Sequence, residues 1–296
     1  MKINILERRA LKGIGALSGV ATHANTLYVV GDDAGYLLKT SLHQTLNQII
    51  DFEKVPLLTH TPLTPLSKAE KPDFESMTIV NVDGQAQLLI MGSGSKANRK
   101  TALLFNPLTQ QVGPFLDTPN YDFLESNQNL TGGAELNIEA VCSDDQHLYI
   151  FQRGNINRHH GVLVFDLKLL ADTHDLRSTL VSVLSLHLPD IDGSASGISD
   201  ACFLKHRSII AAVASVEQTI NTYDDGAVLG SLIVLLSTDG KTLDAQVITD
   251  DQGHPTPIKV EGITWLNTHP SGEEFLLVTD SDGGDSELLR VLVVID

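Results

Sequence analysis

One motif recurs along this chain and limits its folding more than any other feature. A small or acidic residue leads into a short apolar run at Ser18-Gly19-Val20, Glu75-Ser76-Met77, Glu139-Ala140-Val141, Asp200-Ala201-Cys202 and Glu261-Gly262-Ile263. The steps between these anchors are 57, 64, 61 and 61 residues. A fixed period of this kind marks stacked supersecondary units, each unable to bury its apolar face alone. A second apolar strand follows 9 to 14 residues after each anchor, at 27–32, 88–93, 148–153, 209–214 and 275–280. Turn-forming residues separate the two, as in VNVDGQAQ and LNTHPSGEE. A third strand follows at 35–40, 101–106, 161–166, 230–236 and 287–295. A fourth closes most units, for example at 47–52, 180–186 and 245–249.

Four strands per unit is the blade of a β-propeller. The expected fold is therefore all-β: one domain over 1–296, with five four-stranded blades. Units of about 60 residues exceed the usual 40–50, so six blades with one too divergent to see is the alternative. The extra length is assigned to loops at 107–135 and 215–229, with single helical turns in SLHQTLNQI and FDLKLLAD. The last unit runs out of chain before its fourth strand. The N-terminal segment 3–8 is expected to supply it, closing the ring and removing an exposed edge.

Charge narrows the partners. Against 20 Lys and Arg stand 37 Asp and Glu, a formal net charge of −17. Such a field repels nucleic acid and anionic membranes and welcomes cations. No apolar run approaches the roughly 18 residues of a membrane helix. The N-terminus shows no signal-peptide apolar stretch, so the expected location is cytoplasmic, or periplasmic if a leader was removed. Cys142 and Cys202 belong to no metal-binding spacing and are expected as buried free thiols.

Alternate residues of a strand share a face. Asp73 pairs with Glu75 in this way, Asn137 with Glu139, and Lys259 with Glu261. If the anchors open the innermost strands, Glu75, Glu139, Asp200 and Glu261 converge on the axis. Such a ring cannot stay fully ionised without partners. Two readings follow. The acids hydrogen-bond neighbouring blades and set register, or some of them hold a hard cation or substrate. The second strands end in polar, glycine-rich stretches at the same mouth: Gly31-Asp32-Asp33, Gly92-Ser93-Gly94-Ser95, Gln152-Arg153-Gly154-Asn155 and Thr279-Asp280-Ser281-Asp282-Gly283. Asp280 and Asp282 suggest an oxygen-rich cation site or an exposed acidic turn. Lys71, Lys96, Arg99 and Arg153 add positive charge there. Together these acids and bases suit a metal-bridged phosphoester or a plain ion-pair network. His159-His160 is expected at the surface and Trp265 in the core.

The segments LYVVGDDAGYL, KPDFESM, LLIMGSGSKANR, LNIEAV and LYIFQRGN resemble an uncharacterised bacterial propeller family related in pattern to phytase-like or esterase-like propellers. The likeness covers residues 10–165 well, and the later half through ISDACF, KVEGITW and LLVTDSDGG. It implies a calcium-dependent phosphoester hydrolase. Glu75, Glu139, Glu261, Arg99 and Arg153 would be its catalytic set. Carboxylates including Asp73, Glu75, Glu139 and Glu261 would hold Ca2+, with Lys71, Arg99 and Arg153 on phosphate. Ser18 and Asn137 thin the acid ring relative to that pattern. The expectation is thus a metal-dependent hydrolase of small phosphoesters or esters. The alternative is a non-catalytic propeller binding a small molecule or a protein at its mouth.

Overall fold

A computed structural model describes residues 1–49, 51–154, 157–218, 227–250, 252–281 and 284–295. The chain forms five four-stranded antiparallel sheets arranged in a ring. After β1 (Lys2–Leu11), blade 1 comprises β2 (Leu17–His23), β3 (Thr26–Gly31), β4 (Tyr36–Ser41) and β5 (Glu53–Pro56). Blade 2 comprises β6 (Phe74–Val82), β7 (Gln85–Gly92), β8 (Ala102–Phe105) and β9 (Val112–Leu116). Blade 3 comprises β10 (Ile138–Ser143), β11 (His147–Gln152), β12 (His160–Asp166) and β13 (Leu180–Leu186). Blade 4 comprises β14 (Gly197–Leu204), β15 (Ile209–Gln218), β16 (Ala227–Ser237) and β17 (Thr242–Val247). Blade 5 takes β18 (Lys259–His269), β19 (Gly272–Asp280) and β20 (Ser286–Val294). Its outer strand is β1, paired from Lys2↔Val294 to Leu11↔Ser286.

The second strand of each blade shows why the fold forms. In β3, Leu27 and Val29 enter the core shared with blade 5, whereas Tyr28 and Val30 enter the core shared with blade 2. In β11, Leu148 and Ile150 face blade 2, while Tyr149 and Phe151 face blade 4. A strand buried on both faces must be apolar at every position, so these segments read as unbroken apolar runs rather than as alternating ones. Each of the five cores lies between two blades. Burying such side chains stabilises the sheets at roughly 25 cal/mol per Å².

The innermost strands touch around the axis, and this contact explains the small residue in the motif. A Cβ built on Gly19 would lie 2.7 Å from Met77 N, and one on Gly262 only 2.2 Å from Ser18 O. Every inner strand is also irregular at the motif. The register shifts fall at Leu17/Val20, Phe74/Ser76, Ile138/Ala140, Ile198/Asp200 and Val260/Gly262. A bulge leaves one residue unpaired and re-aims it.

Several expectations need correction. Residues 107–135 are not one loop. They hold β9 and the helices α1 (Thr118–Ser126) and α2 (Gln128–Thr131), whose Tyr121, Leu124 and Leu130 cap the core between blades 2 and 3. Tyr121 fixes α1 by donating its hydroxyl to the Thr101 carbonyl at 2.7 Å. Blade 1 takes its fourth strand at Glu53–Pro56, beyond the apolar 47–52 segment. The 215–229 region includes the end of β15 and the start of β16, and 219–226 lie outside the described residues. His160 is buried, with its Nδ1 accepting from the Gly154 N–H at 3.2 Å, and burial lowers its pKa to about 4. Trp265 is partly buried and donates its indole N–H to Glu273 at 3.0 Å. Both cysteines are free, Cys142 buried and Cys202 partly so. Among the described residues, no helix is long and apolar enough to cross a membrane.

Candidate functional site

The bulges aim one residue per blade at the axis. Glu75, Glu139 and Glu261 take this position in blades 2, 3 and 5, Ser18 in blade 1 and Ser199 in blade 4. The fourth motif is therefore offset by one residue: Asp200 occupies the small position, not the acid position. It is fully buried, and its Oδ2 accepts the Ile263 N–H of blade 5 at 2.9 Å. Burial pushes its carboxyl well above the usual range. Asp200 thus carries the register role expected of the anchor acids and stands apart from the cluster that follows.

A second ring comes from the residues at the ends of the second strands: Asp32, Ser93, Arg153, Ser215 and Asp280. Three are held alike, since the Asp32, Ser93 and Arg153 N–H groups donate to the Ala16, Asp73 and Asn137 carbonyls at 2.9–3.1 Å. The other two pair across the same hairpin, Ser215 with Gly197 and Asp280 with Lys259.

The side chains sort into two groups. On the side of blades 3, 4 and 5, Arg153 and Lys259 neutralise the acids. Arg153 Nη1 lies 3.3 Å from Glu139 and 3.4 Å from Glu261, and Nη2 donates to Ser215 at 2.9 Å. Lys259 Nζ lies 3.1 Å from Asp280 and 3.3 Å from Glu217. Asn137 Nδ2 donates to Glu139 at 2.7 Å, confirming the shared face of that pair. Burial alone would lower the pKa of both bases, but the surrounding carboxylates raise it further than burial lowers it.

On the side of blades 1 and 2, Asp32, Asp73 and Glu75 each bring a carboxylate oxygen within 4.8 Å of the others. Lys71 Nζ contacts Asp32 and lies 2.8 Å from Asp73. Arg99 Nη1 donates to Asp73 at 2.7 Å and to Ser95 Oγ at 2.9 Å, and Ser93 donates to Asp73 at 2.5 Å. Arg99 is held by the one-turn helix Ala97–Arg99, with the exposed Lys96 at its start. Glu75 makes no hydrogen bond or ion pair among the described residues. Burial, then the neighbouring Glu139 and Asp73, pushes its carboxyl well above the ordinary range. Burial likewise raises Asp32, raises Asp33 to about 6 and raises Glu139 to about 8, the last against the pull of Arg153.

The structure therefore gathers Asp32, Lys71, Asp73, Glu75, Ser93, Ser95, Arg99, Glu139, Arg153, Glu261 and Asp280 around one mouth. Asn155 and Asp282 lie outside the described residues. Ser199 of the first ring, Ser215 of the second and Glu217, which contacts Arg153 and Lys259, line the same mouth, and sequence reasoning missed them. Their signal was the equivalence of Ala214-Ser215 to Gly31-Asp32 and Gly92-Ser93, hidden once Ser215 had been assigned to a loop.

A family model described as "Family of unknown function (DUF6929)" matches residues 13–293. No curated protein matches the chain. Among solved structures, the chain is similar to a Myxococcus xanthus glutaminyl cyclase (TM-score 0.54, 12% identity, 99% of this chain and 97% of that one). It is also similar to a thermostable family-43 glycoside hydrolase (0.53, 12%, 95% and 90%). A third likeness is to an α-L-arabinanase mutant from Cellvibrio cellulosa (0.52, 11%, 97% and 94%). At these identities the likeness carries the fold alone.

Proposed function

The chain belongs to the DUF6929 family, and we propose that its funnel mouth is a divalent-cation-dependent hydrolytic centre for a small ester or phosphoester. The observation that carries this reading is the Asp32–Asp73–Glu75 trio, drawn from two blades, in which Glu75 has no partner among the described residues. Hard carboxylate oxygens select Ca2+ or Mg2+ over softer-site metals. A raised carboxyl without a partner is stabilised by an incoming cation, which replaces its proton. The residues present thus fit such an ion.

When bound, the cation would act as a Lewis acid on an ester or phosphoryl oxygen. The chain's own groups supply the rest. Arg99 holds Asp73 in place, donating to its Oδ2 at 2.7 Å. Glu139, raised to about 8 by burial against the pull of Arg153, can take up or release a proton near neutral pH. Arg153 is engaged by Glu139, Glu261 and Ser215, so it orients the acids rather than reaching for substrate.

The first test is calorimetric titration of calcium into chelator-treated protein. Saturable binding with a dissociation constant on the order of micromolar, lost in Glu75→Gln, supports the centre and justifies a screen of nitrophenyl esters and phosphates. No binding heat and an unchanged melting temperature would sink it. A second reading, a non-catalytic ligand-binding propeller, is favoured by the ion pairs that already satisfy Glu139, Glu261 and Asp280. It expects ligand binding to survive Glu75→Gln in metal-free buffer.

A further inference from the structure

The cation-binding trio already holds a positive charge: the ammonium of Lys71 contacts Asp32 and sits 2.8 Å from Asp73 Oδ1. We propose that Lys71 is a tethered competitor for this site. A divalent ion enters by displacing Nζ from Asp32 and Asp73, and the released ammonium turns toward an anionic group of the substrate. The inference rests on the cation-site reading above and adds its regulation.

The local structure suits such an exchange. The backbone of Lys71 is pinned: its N–H donates to the Ser67 carbonyl at 2.9 Å, and its own carbonyl accepts from Asn98 Nδ2 at 2.9 Å. The next strand is pinned as well, through the Asp73 N–H to the Asp32 carbonyl at 3.0 Å. Only the flexible stem of Lys71 has to move, and its side chain is 14% exposed. Displacement leaves neither carboxylate bare, because Arg99 stays on Asp73 Oδ2 and the ion takes over Asp32. Glu75 forms no ion pair among the described residues and feels Lys71 only at longer range, so it can give a divalent ion the direct contact that the ammonium makes with the other two acids. Ion and ammonium cannot share the pair, since like charges at this separation repel strongly where water is scarce. A lysine, compact and carried on a mobile stem, suits a group that must vacate a site. The forked, two-point contact of an arginine would not.

Calcium titrations of the full chain, wild type against Lys71→Met, test the exchange, with Lys71→Gln as a second variant that keeps a hydrogen-bond donor. Thermal melts establish that each variant is folded. The expected result is calcium binding at least tenfold tighter in both variants, at one ion per chain. In the calcium-loaded state, inorganic phosphate is expected to bind the wild type more tightly than either variant. Equal or weaker calcium binding in the variants, with wild-type binding intact, overturns the role of Lys71 and leaves the cation site standing. Equal phosphate binding overturns the second half of the exchange. Absence of calcium binding in every folded protein overturns both this inference and the reading it rests on.

Discussion

Glu139 and Asp33 hold their protons to higher pH than free carboxyls do, with pKa values raised to about 8 and about 6, chiefly by burial. Between the unfolded values near 4 and these raised values, the folded chain binds protons that the unfolded chain has released. Their contribution is therefore fully present in acid and is lost as pH rises through 6 and then 8. The melting temperature in metal-free buffer should fall from pH 7 to pH 9, above the range where His160, lowered to about 4, adds stability with rising pH. Glu139→Gln should flatten the upper part of that fall. Parallel curves for both proteins would assign the titration to other groups. Asp33 is only half-buried, and water screens its share. Asp200 makes a different prediction. Its Oδ2 accepts the Ile263 N–H at 2.9 Å inside a fully buried site, so Asp200→Asn keeps an acceptor and should cost under about 1 kcal/mol. Asp200→Ala leaves that N–H unpaired and should cost roughly 1–3 kcal/mol by denaturant unfolding. Neither change should alter calcium affinity, and a shift there would return Asp200 to the functional cluster.

At the scale of the strand, the glycines at the small motif position, Gly19 and Gly262, leave no room for a side chain. A Cβ on Gly262 would meet Ser18 O at 2.2 Å and Val278 Cγ2 at 2.5 Å, whereas one on Gly113, in β9, meets nothing within 4 Å. Gly262→Ala should cost about 1–3 kcal/mol, as overpacking does, and Gly113→Ala should change stability by no more than about 0.5 kcal/mol. Equal effects in chemical denaturation would mean that the axis yields to an added methyl. These hairpins were legible in the sequence because a strand buried on both faces is apolar throughout, as in Leu27 to Val30 and Leu148 to Phe151. What stayed illegible lacked that imprint. The bulge hides which residue leaves the pleat, so the sequence points to Asp200 where Ser199 stands. The outer strand β9 is short and contains Gly113 and Pro114, so it reads as loop. The site acids were legible through their spacing. Arg153 and Lys259 were legible as bases at the same mouth, but their pairings were not, because Lys259, Glu217 and Arg153 meet across blades far apart in sequence.

For the whole ring, stability depends on joining the two ends of the chain. β1 covers the edge of β20 along its length, and side-chain pairs reinforce the seam: Arg290 Nη1 lies 2.8 Å from Glu7, and Arg8 Nε donates to Glu287 at 2.7 Å. Arg290 also pairs with the buried Glu274, so one guanidinium links β1 to two strands of blade 5. Removing Lys2–Leu11 would uncover the backbone donors and acceptors of β20 together with the apolar floor beneath Ile3 and Ile5. An unpaired edge of that length is a template for another chain. The truncated protein should melt at a markedly lower temperature and elute as oligomers in size-exclusion chromatography. Arg290→Ala should show a smaller loss and elute as the full chain does, since the backbone ladder survives. The funnel joins residues of blades 1 and 2 to those of blades 3 to 5, so a ring that opens at this seam should also lose calcium affinity. A truncation with wild-type elution, melting and calcium binding would show instead that four blades and three strands hold the funnel in shape without the seam.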